Sequence, residues 1–251
     1  IGFNEKSIKK FKFSKKLNSF DIYNDLSNFH NIISKKTDII IFATSGLSSL
    51  NLLIKILKTG KKIGIANKEC IISLGRKFNY IARKHGTEII PLDSEHNSIY
   101  FLLRQDFGKF KSITITASGG PFINFNQNRL KKVTVSQAVK HPIWNMGKKN
   151  SIDSATMMNK ALEIIEAKYL FNLNDDEISA IIHPQAIIHA LINYKNGAST
   201  AILNKPDMRI PISSIFFDFN ENLLTDNNFD LTRYPLLEFM PINIKKFPAI
   251  K

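Results

Sequence analysis

Cysteine is almost absent from this sequence of 251 residues: Cys70 stands alone. One thiol can form neither an intrachain disulfide nor a thiolate metal cluster, and it fits a reducing compartment. No apolar run approaches the roughly twenty residues that cross a bilayer, and no secretory signal pattern opens the chain. G-x-G-x-x-G, the Walker loop, G-x-S-x-G and zinc-type spacings are all missing, so none of the common cofactor or nucleophile signatures is available. Acidic residues are scarce beside basic ones, 21 against 35, and the formal charge is +14. That excess favours anionic partners, among them nucleic acid and phosphorylated small molecules. The lysines are spread along the chain and accompany abundant Asn and Ile, as an AT-rich genome would produce, which weighs against a nucleic-acid partner. The chain opens at Ile1 and closes at Lys251 just after an apolar FPAI, and neither end reads as a natural terminus.

With 43% hydrophobic and 22% charged residues, the chain has the material for a globular core. Residues 1–37 are basic and weakly patterned. Organisation begins with the buried-strand run Asp38–Thr44, then a helix capped near Ser45 and closed by Gly60. A strand over Lys62–Ala66, a helix over Ile71–Lys84 and a strand over Glu88–Leu92 follow. This alternation predicts a parallel sheet with helices on its faces. Right-handed crossovers place the carboxyl ends of all three strands on one edge, where open α/β sheets bind ligands. The polar triplets Asn67-Lys68-Glu69 and Asp93-Ser94-Glu95 fall on that edge. A short helix over His96–Gln105 and a strand over Ser112–Ala117 lead into Ser118-Gly119-Gly120. The second half is mixed and partly antiparallel: a strand over Glu177–Ile182, then two strands joined through Asn196-Gly197 as a hairpin. PDMRIPISSIFF reads as a helix, and from Phe219 the chain looks like an extended connection.

Ser151–Phe171 reads as one helix, capped by Asp153 or Ser154. At about 100° per residue, Thr156, Asn159, Lys160, Glu163 and Glu166 share a narrow arc in an otherwise apolar cylinder. A buried Glu163 needs a cation, either Lys160 one turn back or a bound metal. Asp93 and Glu95 at a strand–helix junction could join it in an all-oxygen site suited to Mg²⁺ or Mn²⁺; alone, D-x-E is a weak signal, and favourable placement on a helix dipole is its commoner explanation. The Ser118 turn could hold an anion or be an ordinary tight turn. Ser154 with Asn159 and Lys160 makes a better phosphate site. Lys68 and Glu69 could make polar contacts or sit on the surface. Trp144, with Met146 on a loop bearing Gly147, could form a lid or pack in the core. His141 and His183 each precede a proline and belong to loops.

In order and spacing, ANKE, PLDSEHNSI, ASGGPF, HPIWNMGKK, IDSATMMNKALE, IIHPQAIIHA and PDMRIPI resemble the 1-deoxy-D-xylulose 5-phosphate reductoisomerase family, closely over about Asp38–Ile212. The resemblance implies rearrangement of a phosphorylated ketose and its reduction with NADPH to 2-C-methyl-D-erythritol 4-phosphate, in the non-mevalonate isoprenoid pathway. It implies metal ligands at Asp93, Glu95 and Glu163, with Mg²⁺ or Mn²⁺ as the ion. Phosphate-end contacts match Ser118, Ser154, Asn159 and Lys160, with His141 alongside, and Lys68 and Ser94 match substrate contacts near the metal. Asn67, Glu69 and Gly147 match cofactor contacts, and Trp144 and Met146 match a closing flap. Lys68, Glu95, Glu163 and His183 form the implied catalytic set.

The expected architecture is α/β: an incomplete Rossmann-like NADPH domain over residues 1–86, a catalytic domain with a mixed, partly antiparallel sheet over 87–218, and a connection over 219–251 toward a missing C-terminal helical domain. A homodimer in the bacterial cytoplasm is implied, a plastid-type organelle being the alternative, with no nucleic-acid or membrane partner. The family's Gly-rich cofactor turn is missing, Cys70 stands where Ser is usual, and Ala161 stands where Gly is usual. A fragment inactive by itself is the expectation that follows; a basic nucleic-acid-binding protein is the competing one.

Overall fold

The computed structural model describes residues 29–144, 147–216 and 229–251. The chain divides into two units, Ile1–Asp38 and Ile39–Lys251. In the first, the described residues form one helical turn, α1 (Phe29–Ile32), followed by a turn in which Thr37 N–H donates to Ser34 O at 3.1 Å.

The second unit opens with the expected parallel alternation. Strands β1 (Ile39–Phe42), β2 (Lys62–Ile65) and β3 (Glu88–Pro91) form a sheet in the order β1-β2-β3. The helix between β1 and β2, α2 (Leu50–Leu57), begins later than the Ser45 reading placed it. The helix after β2 is two: α3 (Lys68–Leu74) and α4 (Arg76–Lys84), separated by Gly75 at φ 54°. Gly75 tolerates that left-handed φ because it has no Cβ, and the Tyr169 ring lies 3.5 Å from where a Cβ would stand. The first helix starts at Lys68 because Asn67 caps it, its Oδ1 accepting from Cys70 N–H at 2.8 Å.

After α5 (Ser94–Leu102), strand β4 (Phe110–Ala117) becomes the centre of a second sheet of order β7-β6-β4-β5-β8. Its partner β5 (Ile178–Ile182) is parallel, while β6 (Ile188–Tyr194) is antiparallel. The hairpin expected at Asn196-Gly197 joins β6 to β7 (Ser199–Leu203), with Gly197 at φ 88°. Helix α10 within PDMRIPISSIFF is limited to Arg209–Ser213. Residues 217–228, where the connection from Phe219 was expected to begin, lie outside the described residues. The described remainder is not wholly extended: it holds 3-10 turns at Leu231–Arg233 and Pro248–Ile250, and between them β8 (Met240–Pro241) adds an antiparallel edge to β5.

Between β4 and β5 lie the single turns α6 (Gln127–Leu130) and α7 (Val135–Ala138), then α8 (Lys148–Ala155) and α9 (Met158–Leu170). The single helix expected over Ser151–Phe171 is therefore broken, and neither Asp153 nor Ser154 is its cap. Met157 adopts φ 61°, and the Thr156 hydroxyl donates back to Ile152 O and Asp153 O, each at 3.1 Å. The Met157 side chain is buried with Ala117, Ile182 and Phe247, so tertiary packing offsets the cost of a left-handed methionine. The main core of this unit clusters Ile99 and Leu102 of α5 with Ile113, Ile115, Ala190 and Ile192 of the mixed sheet, and Ile164 of α9 packs against it.

Candidate active site

A cavity of about 220 Å³ opens where the strand ends of the first sheet meet α8, α9 and the turn after β4. Lys68 opens α3 just after β2, and Asp93, Ser94 and Glu95 stand where the chain passes from β3 into α5. Asn159, Lys160 and Glu163 project from α9, Ser118 from the turn after β4, and Ser154 from α8. His141 and Trp144 complete it from the loop before α8. The register pairing Ile65 with Pro91 makes the two strand ends level, which is why NKE and DSE meet across 2.8 Å, Lys68 Nζ to Asp93 Oδ2.

The charged groups alternate in sign. Lys68 Nζ lies 2.8 Å from Asp93 and 3.1 Å from Glu163, and donates to Asn159 Oδ1 at 3.0 Å. Glu163 also pairs with Lys160, whose Nζ reaches Glu95 Oε1 at 2.8 Å. Burial opposes the charge of the Lys68 ammonium, but Glu163 and Asp93 together hold its pKa well above the usual lysine value. Lys160 is raised in the same way by Glu163 and Glu95. Burial pushes the Glu95 carboxyl up, and the Lys160 ammonium outweighs it and brings the group below the usual carboxylate range. Lys68 is thus buried, not on the surface, and Glu163 has the lysine partner expected for it in Lys160, joined by Lys68.

Three carboxylates against two ammonium groups leave an excess of negative charge and an all-oxygen donor set of the kind that suits a hard divalent cation. Asp93 Oδ2 and Glu163 Oε2 are buried and make ion contacts to lysine without a well-directed hydrogen bond. The residues present therefore fit a divalent ion, which would compete with the lysines for these oxygens. Among the described residues, however, the ligand atoms that lie within 4.8 Å of one another belong to Asp93, His96 and Glu166, not to the expected trio.

Hydroxyl and imidazole groups line another part of the cavity. Gly120 sits at φ 64° and packs so closely on α8 that a Cβ would stand 2.8 Å from Ser154 O. This close approach brings the Ser118 turn against Ser154. His141 Nδ1 accepts from Trp144 N–H at 2.8 Å, so its Nε2 carries the hydrogen and donates to Ser118 Oγ at 3.1 Å. Burial lowers the His141 pKa, in keeping with that neutral ring. Helix α9 has no side-chain cap, leaving N–H groups at its amino end for a ligand. Trp144 is half-buried at the cavity, neither core nor surface.

Other expected site residues stand elsewhere. Asn67 is fully buried and spends its amide on Thr44 O at 2.8 Å and Gly46 O at 3.0 Å. Glu69 is tied to Lys149 at 2.6 Å, a lysine that also holds Asp153 at 3.0 Å, and Gly147 is the N-cap residue of α8. None of the three lines the cavity, and Met146 lies outside the described residues. His183 is also outside it: its Nδ1 donates to Glu238 O at 2.9 Å and its ring stacks on Phe239. Sequence reasoning passed over His189, buried beside Glu95 with its ring 6.3 Å from Trp144, and over Asn150 and Met208 of the cavity wall. A histidine inside the apolar strand β6 was the one available signal.

A Rossmann-like parallel sheet whose strand ends meet a mixed sheet around a cavity lined by acids, lysines and hydroxyl groups defines an α/β protein with a charged pocket. Two family models match the chain, that of 1-deoxy-D-xylulose 5-phosphate reductoisomerase over residues 4–75 and that of its C-terminal domain over residues 89–171. The chain belongs to the 1-deoxy-D-xylulose 5-phosphate reductoisomerase family.

The enzyme of that name from Wolbachia sp. subsp. Drosophila simulans (strain wRi) is 43% identical over 222 residues, which are 88% of this chain and 57% of the relative. That from Chlamydia abortus is 38% identical over 218 residues, 86% of this chain and 58% of the relative. A crystal structure of DOX-P reductoisomerase in complex with NADPH, fosmidomycin and magnesium matches with TM-score 0.85 at 32% identity, covering all of this chain and 65% of that one. The Zymomonas mobilis enzyme in complex with NADPH matches with TM-score 0.82 at 32% identity, covering 99% of this chain and 65% of that one. The chain therefore spans less than two thirds of the length of these relatives.

Proposed function

We propose that the whole protein converts 1-deoxy-D-xylulose 5-phosphate to 2-C-methyl-D-erythritol 4-phosphate, using NADPH and Mg²⁺ or Mn²⁺. The observation that carries this is one cavity lined both by the carboxylates Asp93, Glu95 and Glu163 and by Ser118, Ser154, Asn159 and Lys160. Ser118, Ser154, Asn159 and Lys160 bind the phosphate at the uncapped amino end of α9. The His141 ring fixes the Ser118 hydroxyl by its hydrogen bond. This binding is remote from the reacting carbons and supplies positioning energy. Asp93, Glu95 and Glu163 would hold the metal, which when bound polarises oxygen atoms of the substrate as a Lewis acid. Lys68, beside Asp93 and Glu163, stabilises negative charge at the reacting end. Ser94, whose hydroxyl donates to Glu95 Oε2 at 2.9 Å, orients that carboxylate. NADPH would supply the hydride; Glu69 and Gly147 would contact it, and Asn67 contributes by shaping the turn after β2. Trp144, with Met146, excludes water. His183 acts by position: its N–H bonds Ala117 O at 2.8 Å, at the end of the strand that delivers Ser118.

The proposal includes a cofactor domain over residues 1–86, a catalytic domain over 87–218 and a connection over 219–251. It also includes a homodimeric enzyme of the bacterial cytoplasm. No helix among the described residues is long and apolar enough to cross a membrane. The test is oxidation of NADPH by the whole protein with this substrate and Mn²⁺. Turnover is expected to need the metal and to be blocked by fosmidomycin. Glu163→Gln is expected to abolish it, and Lys160→Ala to act mainly through KM. Absence of turnover with either metal overturns the reading.

A further inference from the structure

Helix α8 opens against its own dipole. The first turn of a helix favours acidic side chains, and α8 has none there, but Lys148 and Lys149 instead. Lys149 is offset by two acids. Its Nζ donates to Glu69 Oε1 at 2.6 Å, across 80 residues of chain, and stands 3.0 Å from Asp153 Oδ2 on the next turn of α8. A lysine four residues before its acid is the weaker order for a pair within one helix, so the contact to Glu69 is what this placement serves. The Lys149 side chain is 58% exposed, but those of Glu69 and Asp153 are only 25% and 18% exposed. Among the described residues, neither acid forms an ion pair with a second cation. Burial pushes the Glu69 carboxyl up, and the Lys149 hydrogen bond outweighs it and brings the group below its ordinary value.

The chain neighbours of these groups give the contact its consequence. Lys68 precedes Glu69, Asn150 follows Lys149 and Ser154 follows Asp153, and all three neighbours line the cavity, while Lys149, Glu69 and Asp153 do not. We propose that Lys149 is a positioning residue that clasps the first turn of α8 to the first turn of α3, and so sets the span between Ser154 at the phosphate end and Lys68 at the reacting end. That span fixes the length of phosphorylated chain the cavity accepts. This consequence rests on the proposed phosphate reading of Ser154, while the clasp itself does not.

The experiment uses the whole protein with Lys149→Met, which removes the charge, and Lys149→Arg, which keeps it. The probes are fosmidomycin and its homologue with one methylene more, and their inhibition constants are read as a ratio. Both probes carry the same charge, so general attraction to lysine cancels in the ratio. In Lys149→Met the ratio is expected to shift by about fivefold, which is about 1 kcal/mol, the upper end for an exposed pair. Lys149→Arg is expected to keep the wild-type ratio. Zero-length carbodiimide coupling of the wild type, read by mass spectrometry, is expected to join Lys149 to Glu69 without any ligand. An unchanged ratio in Lys149→Met overturns the proposal, and so does a Lys149→Arg variant that behaves as Lys149→Met does. If the wild type binds neither probe, the phosphate reading fails, and absence of the Lys149–Glu69 cross-link overturns the clasp separately.

Discussion

Replacing Lys68 by Met tests the charge alternation at its centre. Lys68 is the shared cation of Asp93 and Glu163, at 2.8 and 3.1 Å, and accepts no substitute from the neutral Asn159 amide. Methionine keeps most of the volume and removes the charge, leaving Asp93 without its ammonium partner and Glu163 with Lys160 alone. Removing one member of a buried ion pair costs about 3–5 kcal/mol. The Asp93 side chain is 20% exposed, so water partly compensates and the low end, about 3 kcal/mol, is expected. At about 2–4 °C per kcal/mol for a domain of this size, the thermal midpoint should fall by roughly 6–12 °C.

The pH dependence of this deficit has a definite sign. The folded pKa of Lys68 is raised, so its contribution is complete below the ordinary value of 10.5 and is lost only as pH rises through the folded value. The deficit of the variant should therefore be flat across neutral pH. Mn²⁺ should restore much of it, because an ion at about 100 times its Kd adds about 2.7 kcal/mol and the lysine no longer competes. Calorimetry with and without Mn²⁺ decides the matter. A midpoint shift under about 2 °C would mean that Asp93 and Glu163 had found other partners, and the alternation would have no energetic weight.

Gly120→Ala combines a left-handed φ with a Cβ 2.8 Å from Ser154 O and should destabilise by about 2 kcal/mol, whereas Gly147→Ala, with open space around it, should be near neutral; equal urea midpoints would refute this. Asn67→Ala removes a helix cap and two buried donations to Thr44 O and Gly46 O, and should cost about 2–4 kcal/mol in the same assay. A loss under about 1 kcal/mol would show that the turn does not depend on it. For Glu166, burial and then Asp93 raise the folded pKa above the ordinary 4.5. Above 4.5 the unfolded chain releases a proton that the folded one keeps, so wild-type stability falls with rising pH there. Glu166→Gln should gain on the wild type above that pH and match it below, and a gap that widens on acidification would refute the assignment.

The parallel order of β1, β2 and β3, the delivery of NKE and DSE to one edge, and the Asn196-Gly197 hairpin were all legible in residue order. Alternating periodicity, short connections and turn chemistry are local, and the handedness of crossovers is general, so no distant contact is needed to read them. The polar arc of α9 was legible for the same reason, since Asn159, Lys160 and Glu163 do face one cavity. What lay beyond reading depends on residues far apart in the chain. A methionine gives no signal for a left-handed break, and Met157 adopts one because Ala117, Ile182 and Phe247 enclose its side chain. Asn67 carries the same amide whether it meets a ligand or a loop, and only the fold turns it toward Thr44 and Gly46. Residue types left Glu163, Asp93 and Glu95 as one of two readings, and the family resemblance implied the neighbourhood that the cavity lining has. Packing decided that Lys68 and Lys160 thread between them and that His96 and Glu166 stand behind, because in a low-dielectric interior each charge takes the partner that geometry brings within about 3 Å.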